Sequence, residues 1–138
     1  MRRRLYTLGI GLVLAVAAAA PATAAKSVRV ASEVEVAGAH YGHQEPFSNF
    51  IAGDVHSKKP KCERNREVSV FFTDGGNREL VDTASTDRTG DWEVETDDAF
   101  NPGLEWDAVV ARKKISRPGK DIICKGDQSP PQVIEPIL

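Results

Sequence analysis

The chain has 138 residues, and 18 Lys+Arg stand against 20 Asp+Glu for a formal net charge of −2. That balance excludes the basic footprint of a nucleic-acid binder or of a protein recruited to anionic lipid. The length fits one domain beside a targeting segment.

Arg2, Arg3 and Arg4 precede an apolar run over residues 8–20, and the small residues Pro21, Ala22, Thr23, Ala24 and Ala25 close it. A basic start, a short apolar stretch and small residues at the cut are the marks of a cleavable secretory signal, with the cut after Ala24 or Ala25. The run holds about 13 residues, well short of the roughly 20 that span a bilayer as a helix. The tandem arginines sit in poor surroundings for the twin-arginine route, so the general route is expected. Residues 1–25 are thus expected to be a signal-peptide helix and residues 26–138 a domain acting as a secreted or extracellular protein, the periplasm or cell envelope being the alternative. The signal takes away three arginines and no acid, which moves the formal charge from −2 to −5. No cysteine stands at the cut to take a lipid. Residues 132–138 are too short and polar for an anchor, so no membrane span is expected in the mature form.

After the signal the hydrophobic period is two. Val28, Val30, Val34 and Val36 share one face of a first strand, with Arg29, Glu33 and Glu35 on the other. Residues 37–49, with His40 and His43, form a loop. A strand over 50–57 turns Ile51, Gly53 and Val55 one way. Val68, Val70 and Phe72 alternate with Ser69 and Phe71 before the turn Asp74-Gly75-Gly76-Asn77. A modest strand over 80–86 runs into Asp87-Arg88-Thr89-Gly90, after which Trp92 and Val94 oppose Asp91, Glu93 and Glu95. Trp106, Ala108 and Val110 oppose Glu105 and Asp107. A short strand holds Ile122, Ile123 and Cys124, and a last one passes through Val133. Residues 111–121 are read as a second loop. No stretch of 11 or more residues after the signal has helical spacing. The pattern predicts an all-β domain, a single β-sandwich of seven or eight short, mostly antiparallel strands of prealbumin-like or immunoglobulin-like kind. The oxidising destination makes a Cys62–Cys124 disulfide the default, and neither cysteine has a second cysteine or a histidine close by for a metal pair.

The Gly53/Val55 strand, Cys62 ahead of Arg66-Glu67-Val68-Ser69-Val70, the stretch Thr86-Asp87-Arg88-Thr89-Gly90-Asp91-Trp92-Glu93-Val94 and the later Cys124-Lys125-Gly126-Asp127-Gln128-Ser129 follow in a telling order. Over roughly residues 50–129 this order resembles the transthyretin-like, carboxypeptidase regulatory-like β-sandwich modules, above all small secreted bacterial forms with one cysteine pair. The resemblance implies structural jobs for the motif Thr86, Asp87, Gly90, Trp92 and Val94. Gly90 permits a tight turn, Asp87 caps its amides, and Trp92 and Val94 fill the core. It brings no shared catalytic residues and, by analogy alone, implies a non-catalytic role.

Other constellations have plainer readings. His40 and His43 with Glu45 offer donors to a transition metal, yet loop spacing does not make them converge; His56 stands apart. Asp91, Glu93, Glu95, Asp97 and Asp98 lack the ligand order of an EF-hand and suit a solvated strand face. There is no G-x-S-x-G elbow, phosphate-binding glycine loop or H-E-x-x-H helix. No catalytic residue, metal or cofactor is therefore assigned, and an enzyme is not expected. Trp92 and Trp106 occupy the inward phase of their strands, which favours core packing over sugar stacking. The expectation is a non-catalytic surface for structure or interaction outside the cytoplasm, its partner unknown, an envelope or extracellular protein or glycan. A carbohydrate- or peptide-binding module using the end loops is the alternative, and a secreted hydrolase the third reading.

Overall fold

Valine alternating with glutamate puts Val34 and Val36 on one face of a strand and Glu33 and Glu35 on the other, which suits a sheet wet on one side. The computed structural model describes residues 26–44 and 46–134. Among these the pattern runs through eleven strands: β1 (Lys26–Val30), β2 (Ser32–Tyr41), β3 (Asn49–Ser57), β4 (Glu67–Asp74), β5 (Asn77–Ser85), β6 (Asp91–Glu95), β7 (Glu105–Val110), β8 (Lys113–Ile115), β9 (Lys120–Cys124), β10 (Asp127–Gln128) and β11 (Gln132–Val133). A 3-10 turn covers Pro60–Cys62. The expected signal segment, Glu45 and residues 135–138 lie outside the described residues. Among the described residues no helix is long and apolar enough to cross a membrane.

The fold is an all-β sandwich. One sheet has the order β2-β3-β6, and the other the order β10-β7-β4-β5 with β11 also on β7. All pairings within these two sheets are antiparallel. The core between them takes Val34, Ile51, Val55, Trp92 and Val94 from the first sheet, and Val68, Val70, Trp106, Ala108 and Val110 from the second.

The expected first strand is two strands. It breaks at Ala31, and β1 leaves the sandwich to pair in parallel with β9, which in turn pairs with β8. Val30 joins Ile122, Cys62 and Cys124 in a satellite core, while Val34 and Val36 fill the main one. Val30 and Val34 keep the same parity, so the two-residue period runs through the break without a signal. The expected loops also shrink. A register shift between Val36 and Gly38 lets β2 continue to Tyr41, and 111–121 contains β8 and the start of β9. These small elements raise the count from the expected seven or eight to eleven.

Cys62 and Cys124 are bonded, with Cα atoms 5.3 Å apart and a sequence separation of 62. In the chain-entropy model a loop of that size stabilises a fold by about 4 kcal/mol. Beside the disulfide lies Arg66, fully buried. Its guanidinium donates to Ser32 Oγ (2.8 Å) and to the carbonyls of Cys62 (2.6 Å), Ala111 (2.7 Å) and Lys125 (3.0 Å). It joins the start of β2, the 3-10 turn and the links on either side of the β8–β9 hairpin. Burial lowers its pKa from the ordinary arginine value. Lys113 is shifted down as well, by burial first and then by the charges of Arg66 and Arg64.

Candidate functional site

The register of the β2-β3-β6 sheet decides which polar side chains meet. Glu33 lies opposite His56, Glu35 opposite Asp54, and Asp54 opposite Asp91 on its other side; Ala52 faces Glu93, and Phe50 lies between His40 and Glu95. The alternate residues are committed to the core, so this whole set occupies the outer face. It carries the carboxylates of Glu33, Glu35, Asp54, Asp91, Glu93 and Glu95, with only His40 and His56 as potential positive charges. Glu35, Asp54 and Asp91 stand abreast in one row, and directly opposed like charges destabilise a sheet. An open hollow of about 600 Å³, lined by Ala52, Gly53, Asp54, Asp91, Trp92 and Glu93 among others, borders Asp54 and Asp91 of this row.

The histidines divide between the two ends of the face. His40 stacks on Phe50 with ring centroids 5.3 Å apart, and its Nε2 lies 3.3 Å from Glu93 Oε2. His40 and His43 both line a hollow of about 600 Å³ with Phe50, Glu93 and Glu95. They do not join any group of three metal-donor residues among the described residues, and Glu45 lies outside those residues. The donors that do converge are Glu35, Asp54 and His56, all within 4.8 Å of one another. His56 Nε2 is 2.6 Å from Asp54 Oδ2, and its Nδ1 is 3.9 Å from Glu63 Oε2. Glu63 also accepts the amide of Ser57 (3.3 Å), which ties it to the end of β3. Sequence spacing passed over this group because it is assembled across strands. His56 and Asp54 are two apart on β3, and only the pairing with β2 brings in Glu35.

Each predicted structural residue has a visible job. Thr86 Oγ1 donates to the carbonyl of Glu63 and accepts the amide of Arg66, 2.8 Å away. Asp87 Oδ1 accepts the amides of Thr89 (2.9 Å) and Asp91 (3.0 Å) and the Thr89 hydroxyl (2.9 Å). The Asp91 amide first, and then the Thr89 hydroxyl and amide, hold the Asp87 carboxyl below its ordinary pKa. Gly90 has φ +88°, and a Cβ there would collide with the carbonyl of Val55. Gly53 lies beneath the Trp92 indole, where a Cβ would strike both the ring and the carbonyl of Glu35. Trp92 and Val94 are each 3% exposed and Trp106 is 1% exposed, so neither tryptophan presents an open face.

Asp107 departs from its strand's pattern. The alternation places it on the wet face beside Glu105, yet it is buried. Arg78 covers it, donating from Nε (3.2 Å) and Nη2 (2.6 Å), and Gln128 Nε2 adds a contact at 3.3 Å. The hydrogen bond to Asp107 raises the pKa of Arg78, whose guanidinium also lies 3.6 Å above the Phe71 ring. The two charged partners are 29 residues apart on different strands, which hides the pair from any local reading.

No family model, curated protein or solved structure matches the chain. The functional reading therefore rests on the site itself.

Proposed function

We propose that this chain is an exported, non-catalytic β-sandwich module of the transthyretin-like, carboxypeptidase regulatory-like kind, and that the outer face of its β2-β3-β6 sheet binds a lysine- or arginine-rich segment of an envelope or extracellular protein. The observation that carries the reading is the one-sided gathering of Glu33, Glu35, Asp54, Asp91, Glu93 and Glu95 on this face, with Asp54, Asp91 and Glu93 lining an open hollow. A field of one sign draws an oppositely charged partner and sets its register. The motif from Thr86 to Val94 serves turn and core, in keeping with a scaffold role.

Two rival readings have less support. A tryptophan-based glycan platform needs an exposed indole, and both indoles are in the core, while the exposed Tyr41 is already stacked on Phe100. Hydrolysis needs a nucleophile beside the Asp54–His56 pair. The nearby serines are engaged elsewhere: Ser57 Oγ donates to the carbonyl of Ala31 at 2.9 Å, and Ser32 Oγ accepts from Arg66.

The test is a photo-crosslinking amino acid placed at Ala52 on the acidic face or at Thr83 on the opposite sheet, in the chain expressed by its source. A discrete protein adduct at position 52, abolished by Glu35→Lys with Glu93→Lys and mapping to a basic segment, is the expected result. Equal adducts at both positions, an adduct indifferent to the charge reversal, or none at position 52 would overturn the proposal.

A further inference from the structure

The β2–β3 corner of the acidic face holds a donor set of a different character from the rest. Glu35 and Asp54 are cross-strand neighbours, and Asp54 and His56 project from the same face of one strand. Their donor atoms lie within 4.8 Å of one another. Zinc bound by imidazole and carboxylate has metal–ligand distances of about 2.0–2.2 Å, which in tetrahedral geometry sets donors roughly 3.4 Å apart. Side-chain adjustments of about 1 Å separate the observed group from that arrangement. Glu35 and His56 are exposed and have the rotamer freedom to make them, while the paired backbones hold the strands in register.

Three further observations make this more than a collection of acids. The imidazole supplies a nitrogen donor, which suits zinc-type metals and not calcium or magnesium. Behind it stands Glu63, whose Oε2 lies 3.9 Å from Nδ1, just beyond hydrogen-bond distance and within reach of a small side-chain adjustment, while Nε2 faces Asp54. A carboxylate at the far nitrogen is the usual outer partner of a metal-bound histidine, fixing its tautomer and orientation. Asp54 Oδ1 is shielded from solvent and has no hydrogen-bond partner among the described residues, so the carboxylate that meets His56 through Oδ2 keeps a second, unspent acceptor. A divalent ion would also relieve the repulsion along the row Glu35, Asp54 and Asp91.

We propose that Glu35, Asp54 and His56 form a binding site for a divalent first-row transition metal of the zinc type, with Glu63 positioning the imidazole. Three protein donors leave the solvent side open for water or for a donor from a second molecule. The site does not depend on the docking reading, because the metal alone is the probe.

Calorimetric titration of the purified chain with Zn²⁺ tests it, beside His56→Ala, Asp54→Asn, Glu63→Gln and a His40→Ala/His43→Ala control. The expected result is one site per chain in the parent and the control, with affinity reduced at least tenfold in His56→Ala and Asp54→Asn. Glu63→Gln should lose about tenfold or more in affinity, as outer-shell changes do, with the metal-free melting temperature unchanged. Ca²⁺ at equal concentration should leave the Zn²⁺ isotherm unaltered. Absence of binding in the parent, a loss smaller than tenfold in His56→Ala, loss of binding in the His40/His43 control, or displacement by Ca²⁺ would overturn the proposal. Retained affinity in Glu63→Gln would remove Glu63 from it.

Discussion

Trp92 sits where the turn from Asp87 to Gly90 delivers β6 to the sheet, and its indole fills the space that glycine leaves at position 53. Truncating it should open a cavity the strands cannot close. Trp92→Ala is expected to lose about 3–5 kcal/mol in chemical denaturation, as other large-to-small core changes do. Glu93→Ala, one residue along and outside, should cost almost nothing. Arg66 is a different kind of anchor, a buried cation whose partners are carbonyl and hydroxyl oxygens. Arg66→Ala would strip three carbonyls and a hydroxyl of their donor, and a loss of about 3 kcal/mol or more is expected in the same measurement. Asp87 makes a prediction in pH. Its folded pKa lies below its unfolded one, so its contribution is complete above the ordinary carboxylate value of about 3.9 and fades as the pH falls through the folded value. The stability gap between the parent and Asp87→Asn should be present at neutral pH and close on acidification below about pH 4. A gap constant with pH would show that the charge plays no part.

At the scale of elements, the disulfide bears on the three-stranded unit β1-β9-β8. Cys124 ends β9 opposite Val30 of β1, and Cys62 anchors the pair to the 3-10 turn. Removing both sulfurs should cost about 2–5 kcal/mol. Amide exchange should rise first in β1, β8 and β9 and leave the Ile51–Trp92–Trp106 core protected. Uniform exchange through all sheets would mean that the unit is no weaker than the sandwich. Alternation in the sequence revealed the inward residues of β3, β4, β6 and β7, because burial on one face is what period two reports. It missed the break at Ala31, where parity is unchanged. It also missed Asp107, where a side chain from another strand dries the wet face. Arg66 was legible only as a member of a motif, since three of its acceptors, on Ser32, Ala111 and Lys125, come from segments distant in the chain. The Glu35–Asp54–His56 group needed the β2–β3 register, which no single strand encodes.

At the scale of the whole molecule, the charge is arranged by face. The outer side of β2-β3-β6 carries six carboxylates, whereas the outer side of β4, β5 and β7 mixes Glu67 and Glu105 with Phe71 beneath Arg78 and the Asp107 ion pair. An interaction through the acidic face should weaken with added salt, because exposed charges are screened within about 10 Å at 0.1 M ionic strength. Carbodiimide footprinting of the carboxylates, read by mass spectrometry with and without the crosslinked partner, tests that claim most directly. The account predicts protection of Glu33, Glu35, Asp91, Glu93 and Glu95 on partner binding, with Glu67, Glu79 and Asp82 labelled as before. Protection at Glu79 and Asp82 with the β2-β3-β6 face still reactive would contradict it.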